Sequence, residues 1–442
     1  MSYRNRPLAV AGLLLLATGC GGSLLDVQNP DVTKPTDVKG ETGATALYEG
    51  ARSEFIAAHD GDGSATALPA SIGLVYLTGL LTDEFLFPAT PPDLISIDRR
   101  DIQRTNGTVG TAYLVLHRAR IAAGRAASAL AALPAAARDP RVGESLALEA
   151  MTYLLFGEAF CGGVPFSSVS EGVITPGSPI STVQMLTEAL NRLDAALPKA
   201  AGDPEIVNLI RVAKGRTLLN LGRFSEAGAA AAAVPTSYRY ENAHSTADPR
   251  SGNNIKNLMW DTYFLGMSNN EGTNGLDFVT AGDHRVEAVP GGISQFDLET
   301  EVYRFKNYES GAAPILLASG VEARLIEAEA ALQAGNVGGW LAKINSARAE
   351  AGLDPEVDPG TAAGRVFLLF RERAFALYGT AHRLGDLRRL VRQYSRGAEA
   401  VFPTGAYHKD NLVRATQVAL PVPQTEENNT NYKASDCDPT KA

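Results

Sequence analysis

Few residue types in this 442-residue chain could do chemistry, and its three cysteines are the first to place. Cys20 closes the run LAVAGLLLLATGC. Arg4 and Arg6 lie upstream, an apolar stretch runs from Leu8 to Ala17, and Ala17, Thr18 and Gly19 precede the thiol. A basic start, a short apolar core and small residues before a break are the layout of an export signal. The apolar run is too short to cross a bilayer, which takes about 20 residues. Its end resembles a lipobox, in which the thiol is acylated and the chain is cut just before it. Residues 1–19 are therefore read as a lipoprotein signal peptide and Cys20 as the lipidation site. Ala17 stands where such motifs usually carry leucine, and a plain secretory signal is the other reading. Cys161 and Cys437 remain, an even pair in an exported chain. A disulfide between them is expected because that compartment is oxidising; two free, buried thiols are the alternative.

Other reactive constellations are sparse. There is no CxxC, and His59, His117, His244, His284, His382 and His408 are scattered, so neither a metal nor a cofactor is expected. Asp83 and Glu84 in TDEF are adjacent carboxylates, but sequence neighbours on a helix point about 100° apart, and adjacency does not pair them. No Gly-x-Ser-x-Gly, phosphate-binding glycine loop or His-Glu-x-x-His occurs, so catalysis has no support and the chain is read as non-enzymatic. The block Arg371, Glu372, Arg373, Arg383, Asp386 and Arg388 is expected to form ion pairs between C-terminal helices. The best binding chemistry is aromatic. Trp260, Tyr263 and Phe264 lie together, with Asn269 and Asn270 shortly after. Flat rings beside planar amides suit the apolar faces and hydroxyls of sugars. Rings packed into their own local core are the competing reading, and Trp340, on a helix, is read as core.

The elements that must position these residues are mostly helical. Hydrophobic content of 45% and charged content of 20% are ordinary globular values. The net charge is −9, and loss of the two leader arginines leaves 38 basic against 49 acidic residues, a net −11. An acidic body without a Lys/Arg cluster argues against nucleic acid and against electrostatic docking on anionic lipid. Residues 20–42 are rich in Gly, Pro and Asp without helical period, as a tether should be. Apolar residues recur at helical spacing over 111–133 and 143–160, and again after Ser181, a predicted N-cap. Two stretches, 210–235 and 323–348, share a pattern. An apolar stripe leads to a turn at Gly222 or Gly335 and then to a second helix with small inner residues. This resembles the tetratricopeptide helix–turn–helix unit. Between them, residues 236–312 lose helical stripes and gather aromatics, and a long irregular insertion of this kind is often where binding is built.

The C-terminal third carries the most specific pattern: PILLASGVEARLIEAEAALQAGN, INSARAEAGL, LLFRERAFALYGTAHRLGDLRRL and VALPVPQTEENNTN, in that order. With LLDVQNPDVTKP, LTDEFLF and FGEAFCGGVPFS at the front, the chain resembles the SusD/RagB family of outer-membrane nutrient-binding lipoproteins over nearly its whole length. It departs in TAHRLGDLRR, where Leu384 and Gly385 replace the usual rings. The resemblance implies an all-α fold of tetratricopeptide-like helix pairs, one domain over 43–442, with 236–312 building the ligand face. Trp260, Tyr263, Phe264, Asn269, Asn270 and Asp83 are then candidate ligand contacts. It also implies a lipid-anchored protein on the outer membrane, facing the cell exterior. Such a protein captures an oligosaccharide, or in some members a peptide, and passes it to a SusC-like TonB-dependent transporter. A helix-repeat lipoprotein scaffold for envelope assembly is the main alternative.

Overall fold

The computed structural model describes residues 40–63, 72–170 and 173–442. The leader, Cys20 and the tether up to residue 39 lie outside the described residues. Among the described residues there are thirteen helices and ten short strands. The helices of the first half are α1 (Gly40–His59), α2 (Leu74–Leu80), α3 (Pro92–Asp98), α4 (Gly107–Ala131), α5 (Pro140–Ala159), α6 (Thr182–Ala196), α7 (Pro204–Asn220) and α8 (Phe224–Ala231). A single turn, α9 (Asn254–Lys256), interrupts the insertion. Then come α10 (Gly320–Gln333), α11 (Val337–Glu350), α12 (Ala362–Ala376) and α13 (Arg383–Tyr394). Helix α1 starts three residues inside the stretch read as tether. Glu41 in its first turn complements the positive end of the helix dipole. Among the described residues no helix is long and apolar enough to cross a membrane.

Local chemistry explains the helix boundaries. Ser181 and Gln184 form a reciprocal capping box at the start of α6, and the Asp203 carboxylate accepts from two backbone amides at the start of α7. Gly222 and Gly335 both adopt left-handed backbone (φ +72° and +73°) and let the chain leave α7 and α10. The two repeat-like units, far apart in sequence, stack in space through α8 against α10. Small residues allow this approach: a Cβ built on Gly228 would lie 2.8 Å from the Ala330 methyl group. Helix α1 packs on α4, α4 on α5 and α5 on α6, so antiparallel pairs continue through the first half. Trp340 is wholly buried, in a cluster with Leu325, Ile344 and Leu369.

The strands form five two-stranded antiparallel pairs among the described residues. They are β1 (Phe85–Leu86) with β7 (Gly266–Met267), β2 (Val164–Pro165) with β5 (Pro179–Ile180), and β3 (Ser168–Ser170) with β4 (Val173–Thr175). The other two are β6 (Arg239–Asn242) with β10 (Ile315–Ser319), and β8 (Ala288–Ile293) with β9 (Glu301–Phe305). The β6–β10 ladder closes the base of the insertion, so its two ends leave the helical scaffold side by side. Cys161, at the end of α5, is bridged to Cys437, with the Cα atoms 5.3 Å apart. The bridge holds the C-terminal segment across the ends of the helices.

The charged C-terminal block is only partly what the sequence led us to expect. Arg373 does pair with Asp386 across α12 and α13, at 2.7 Å. Other members reach much further: Arg371 pairs with Asp277, Glu372 with Arg285 and Arg348, and Arg383 with Asp83. Arg388 has no carboxylate partner within the block. Its Nη1 donates to the carbonyls of Gly157, Glu158 and Phe160 at the end of α5, satisfying acceptors that the helix leaves open.

Candidate functional site

Some of the insertion's aromatic rings are buried in the core, Tyr240, Phe278, Phe305 and Tyr308 among them, while others stay partly exposed on a rim built from the β8–β9 hairpin and the π-helical turn Asn257–Asp261. Such turns are frequent at functional sites. Trp260, in this turn, is partly buried and its Nε1 donates to the carbonyl of Phe305, at 3.2 Å. The Arg304 guanidinium lies 4.6 Å from the Trp260 ring centre and 5.5 Å from that of Tyr263, which is cation–π geometry. Tyr263 adopts left-handed backbone (φ +56°), a conformation that costs a non-glycine residue about 1–3 kcal/mol. Asn270, Leu298, Asp410 and Asn411 share that strain. Thus five of the nine such residues in the described part lie in the insertion or in loop 405–413. Strain of this kind is held where the surrounding structure enforces it, and it clusters at ligand sites.

Phe264 sits one step deeper. It is stacked between Phe87 and Phe296, at ring distances of 6.4 and 4.6 Å. Loop 405–413 packs on this stack. Lys409 donates to the carbonyls of Phe87 and Ala89, and its ammonium lies 3.6 Å from Asp297. Ile293, Leu298 and Val413 remain exposed nearby, so the rim presents apolar surface between its polar groups. A separate cleft of about 430 Å³ opens where the base of the insertion meets α11 and α12, lined by Tyr238, Arg239, Phe305, Asn307, Glu350 and Phe375 among others.

The sequence-derived candidates divide sharply here. Trp260, Tyr263 and Phe264 come together on the rim, with partly exposed rings. Asn270 is exposed, in the following loop, where its amide N–H donates to the carbonyl of Leu276. The Asn269 amide oxygen is taken up by Val279 and Thr280, where it shapes a loop. Asp83 is not on this rim. It is 1% exposed, its two oxygens are held by Arg383 at 2.7 and 2.8 Å, and the backbone amide of Leu276 adds a third bond. Its role is to tie the front of the chain to α13 and to the insertion. Arg304 and Phe296 are the members sequence reasoning missed. Phe296 was visible as one ring among ten, whereas Arg304 owes its importance to contacts that no local pattern reveals.

Several ionisable groups are buried away from the rim or beside it. Burial pushes the Glu84 carboxyl up to about 8; only one of its oxygens has a partner, the backbone amide of Gly379. Asp60 is equally buried, but His59 and His244 outweigh that burial and hold its carboxyl below the ordinary range. His117, packed among Tyr113, Phe156 and Phe166, is pushed down to about 3 by burial and then by Arg120. Among the described residues no group of three or more His, Cys, Asp or Glu is placed to hold a metal ion.

No protein-family profile matches the chain, and no curated protein does. Solved structures do. A SusD-like carbohydrate binding protein from Bacteroides vulgatus superposes with a TM-score of 0.64 at 15% identity, covering 90% of this chain and 98% of that one. A SusD superfamily protein from Bacteroides thetaiotaomicron gives 0.67 at 14% identity, covering 89% and 98%. Surface glycan-binding protein A from the same organism, in complex with laminarihexaose, gives 0.65 at 12% identity, covering 88% and 97%. The chain has the SusD-like fold: helical, with only short strand pairs added.

Proposed function

We propose that this protein is a non-catalytic, cell-surface lipoprotein of the SusD/RagB type that captures an oligosaccharide on the insertion rim. The observation that carries this reading is the cluster of partly exposed rings, Trp260, Tyr263, Phe264 and Phe296, held on strained loops above a rigid helical scaffold. Two proteins with that scaffold are described as carbohydrate- or glycan-binding, one with a glucan oligomer bound. Aromatic faces supply stacking for sugar rings, and nearby polar groups supply orientation. The reading assigns binding and delivery, not turnover.

In this reading Cys20 carries the acyl chains, which hold the body at the outer membrane with its rim facing outward. The captured ligand passes to a SusC-like TonB-dependent transporter. Any lid-like motion over such a channel requires that the ligand favour one state over the other. The envelope-scaffold alternative predicts a continuous repeat groove; the repeat-like pairs here are instead packed into one body with the insertion. The test is purification from the native membrane in detergent. An acylated Cys20 as first residue and a co-purifying outer-membrane barrel are expected. A free, unacylated mature chain with no barrel would contradict the delivery role.

A further inference from the structure

We propose that the saccharide taken at the Trp260 face bears an acidic group, a uronate carboxylate or a sulfate ester, and that Arg304 selects it. This rests on the reading of the rim as a saccharide site and narrows it to a ligand class.

The inference begins with charge pairing inside the insertion. Residues 236–312 contain six Lys and Arg residues. Five have carboxylate partners: Arg239 with Glu241, Arg250 with Asp62, Lys256 with Asp261, Arg285 with Asp283 and Glu372, and Lys306 with Glu287. Arg304 is the sixth, and among the described residues no carboxylate oxygen lies within ion-pair distance of it. Its acceptors are weak ones: the Pro290 carbonyl at 3.0 Å and the Tyr263 hydroxyl at 3.4 Å, while its Nε is buried without an acceptor. A guanidinium has five N–H donors, so most of its capacity is unspent.

The uncompensated cation is also the one that lies on the candidate rings. A planar guanidinium over Trp260 and Tyr263 widens the flat surface available for stacking and adds a fixed positive charge to it. Arginine's forked donors match the geometry of carboxylate and sulfate oxygens, and such charge-assisted bonds are about twice as strong as neutral ones. The acidic body provides no long-range attraction for an anion, so recognition must come from this local contact. A neutral glucan would leave Arg304 partly desolvated and unpaired, at a cost that an acidic sugar removes.

The experiment is calorimetry on the full-length protein in detergent with four probes: an oligogalacturonate, a sulfated galactan oligosaccharide, laminarihexaose and an oligoglutamate. Saturable binding of one acidic saccharide is expected, weakened by added salt. The uronate and sulfate arms identify which acid group is taken. Arg304→Gln lowers that affinity about tenfold or more, from the usual strength of a charge-assisted bond, and Arg304→Lys, which keeps the charge but not the fork, falls between. A thermal melt of each variant checks that the fold survives, and the salt dependence of the unmodified protein tests the charge without any substitution. Equal binding of laminarihexaose by the native protein and Arg304→Gln, with no preference for acidic probes, would overturn the acidic-ligand proposal and leave the saccharide reading standing. Binding of oligoglutamate alone, or of no probe, would sink the saccharide reading itself.

Discussion

Asp83 and Glu84 are sequence neighbours with opposite fates. Asp83 meets a guanidinium; Glu84 meets one backbone amide and is driven toward its neutral form. The folded protein therefore holds a proton on Glu84 that the unfolded chain, at the ordinary carboxylate value, releases. Between pH 4.5 and about 8 the native state binds more protons at this site, so its contribution to stability falls as pH rises and levels off above that window. Glu84→Gln keeps an acceptor for the Gly379 amide and removes the titration. Denaturant melts at pH 5 and pH 8 should show the variant gaining on the native protein by a few kcal/mol, roughly, at the higher pH. A pH-independent difference would place the proton elsewhere. Residue-level roles were only half legible in the sequence. Trp260 and Tyr263 announced themselves as rings in a loop-rich stretch. The Asp83–Arg383 pair spans 300 positions, and the solitude of Arg304 is a property of what surrounds it in space.

Helix ends and turns were the most legible elements because their causes are local. The Ser181 capping box and the glycines at 222 and 335 act within one helical turn of themselves, so type and spacing suffice. The SusD-like departure at Leu384 and Gly385 has a structural reason that spacing could not supply. Leu384 is wholly buried, and a Cβ at Gly385 would lie 3.0 Å from the Glu158 carboxyl carbon. Glu158 in turn holds the buried Arg216 and Asn220, so the glycine lets α13 close on a charged seam between α5 and α7. Gly385→Val should push Glu158 off Arg216 and cost about 3 kcal/mol, from overpacking and a weakened buried ion pair together. Chemical denaturation measures this directly. A loss below about 0.5 kcal/mol, the usual range of a surface change, would mean that the seam has room to spare. The strand pairs were invisible for other reasons: most strands are two to five residues long, too short for a period, and β1 with β7 and β6 with β10 pair across long separations.

At the scale of the whole molecule, helix pairs, a long irregular insertion and a disulfide-pinned C-terminal segment share one main hydrophobic core from Ala44 to Tyr432, with smaller clusters around Trp340 and Tyr153. That rigidity is what lets strained loops hold rings at the surface, since flexible support would let Trp260 and Phe296 collapse inward. The architecture was readable from periodicity and motif order. The candidate binding face was readable only as a region, because which rings stay exposed depends on how loops 87–92, 236–312 and 405–413 close on one another. The central claim is that this face binds a saccharide without transforming it. The most direct measurement titrates the purified protein with a panel of neutral and acidic oligosaccharides by calorimetry, while chromatography follows the same mixtures for products. The account predicts saturable binding of at least one oligosaccharide, unchanged ligand after prolonged incubation, and loss of binding in a folded Trp260→Ala variant. Shortened products, or binding that Trp260→Ala leaves untouched, would contradict it.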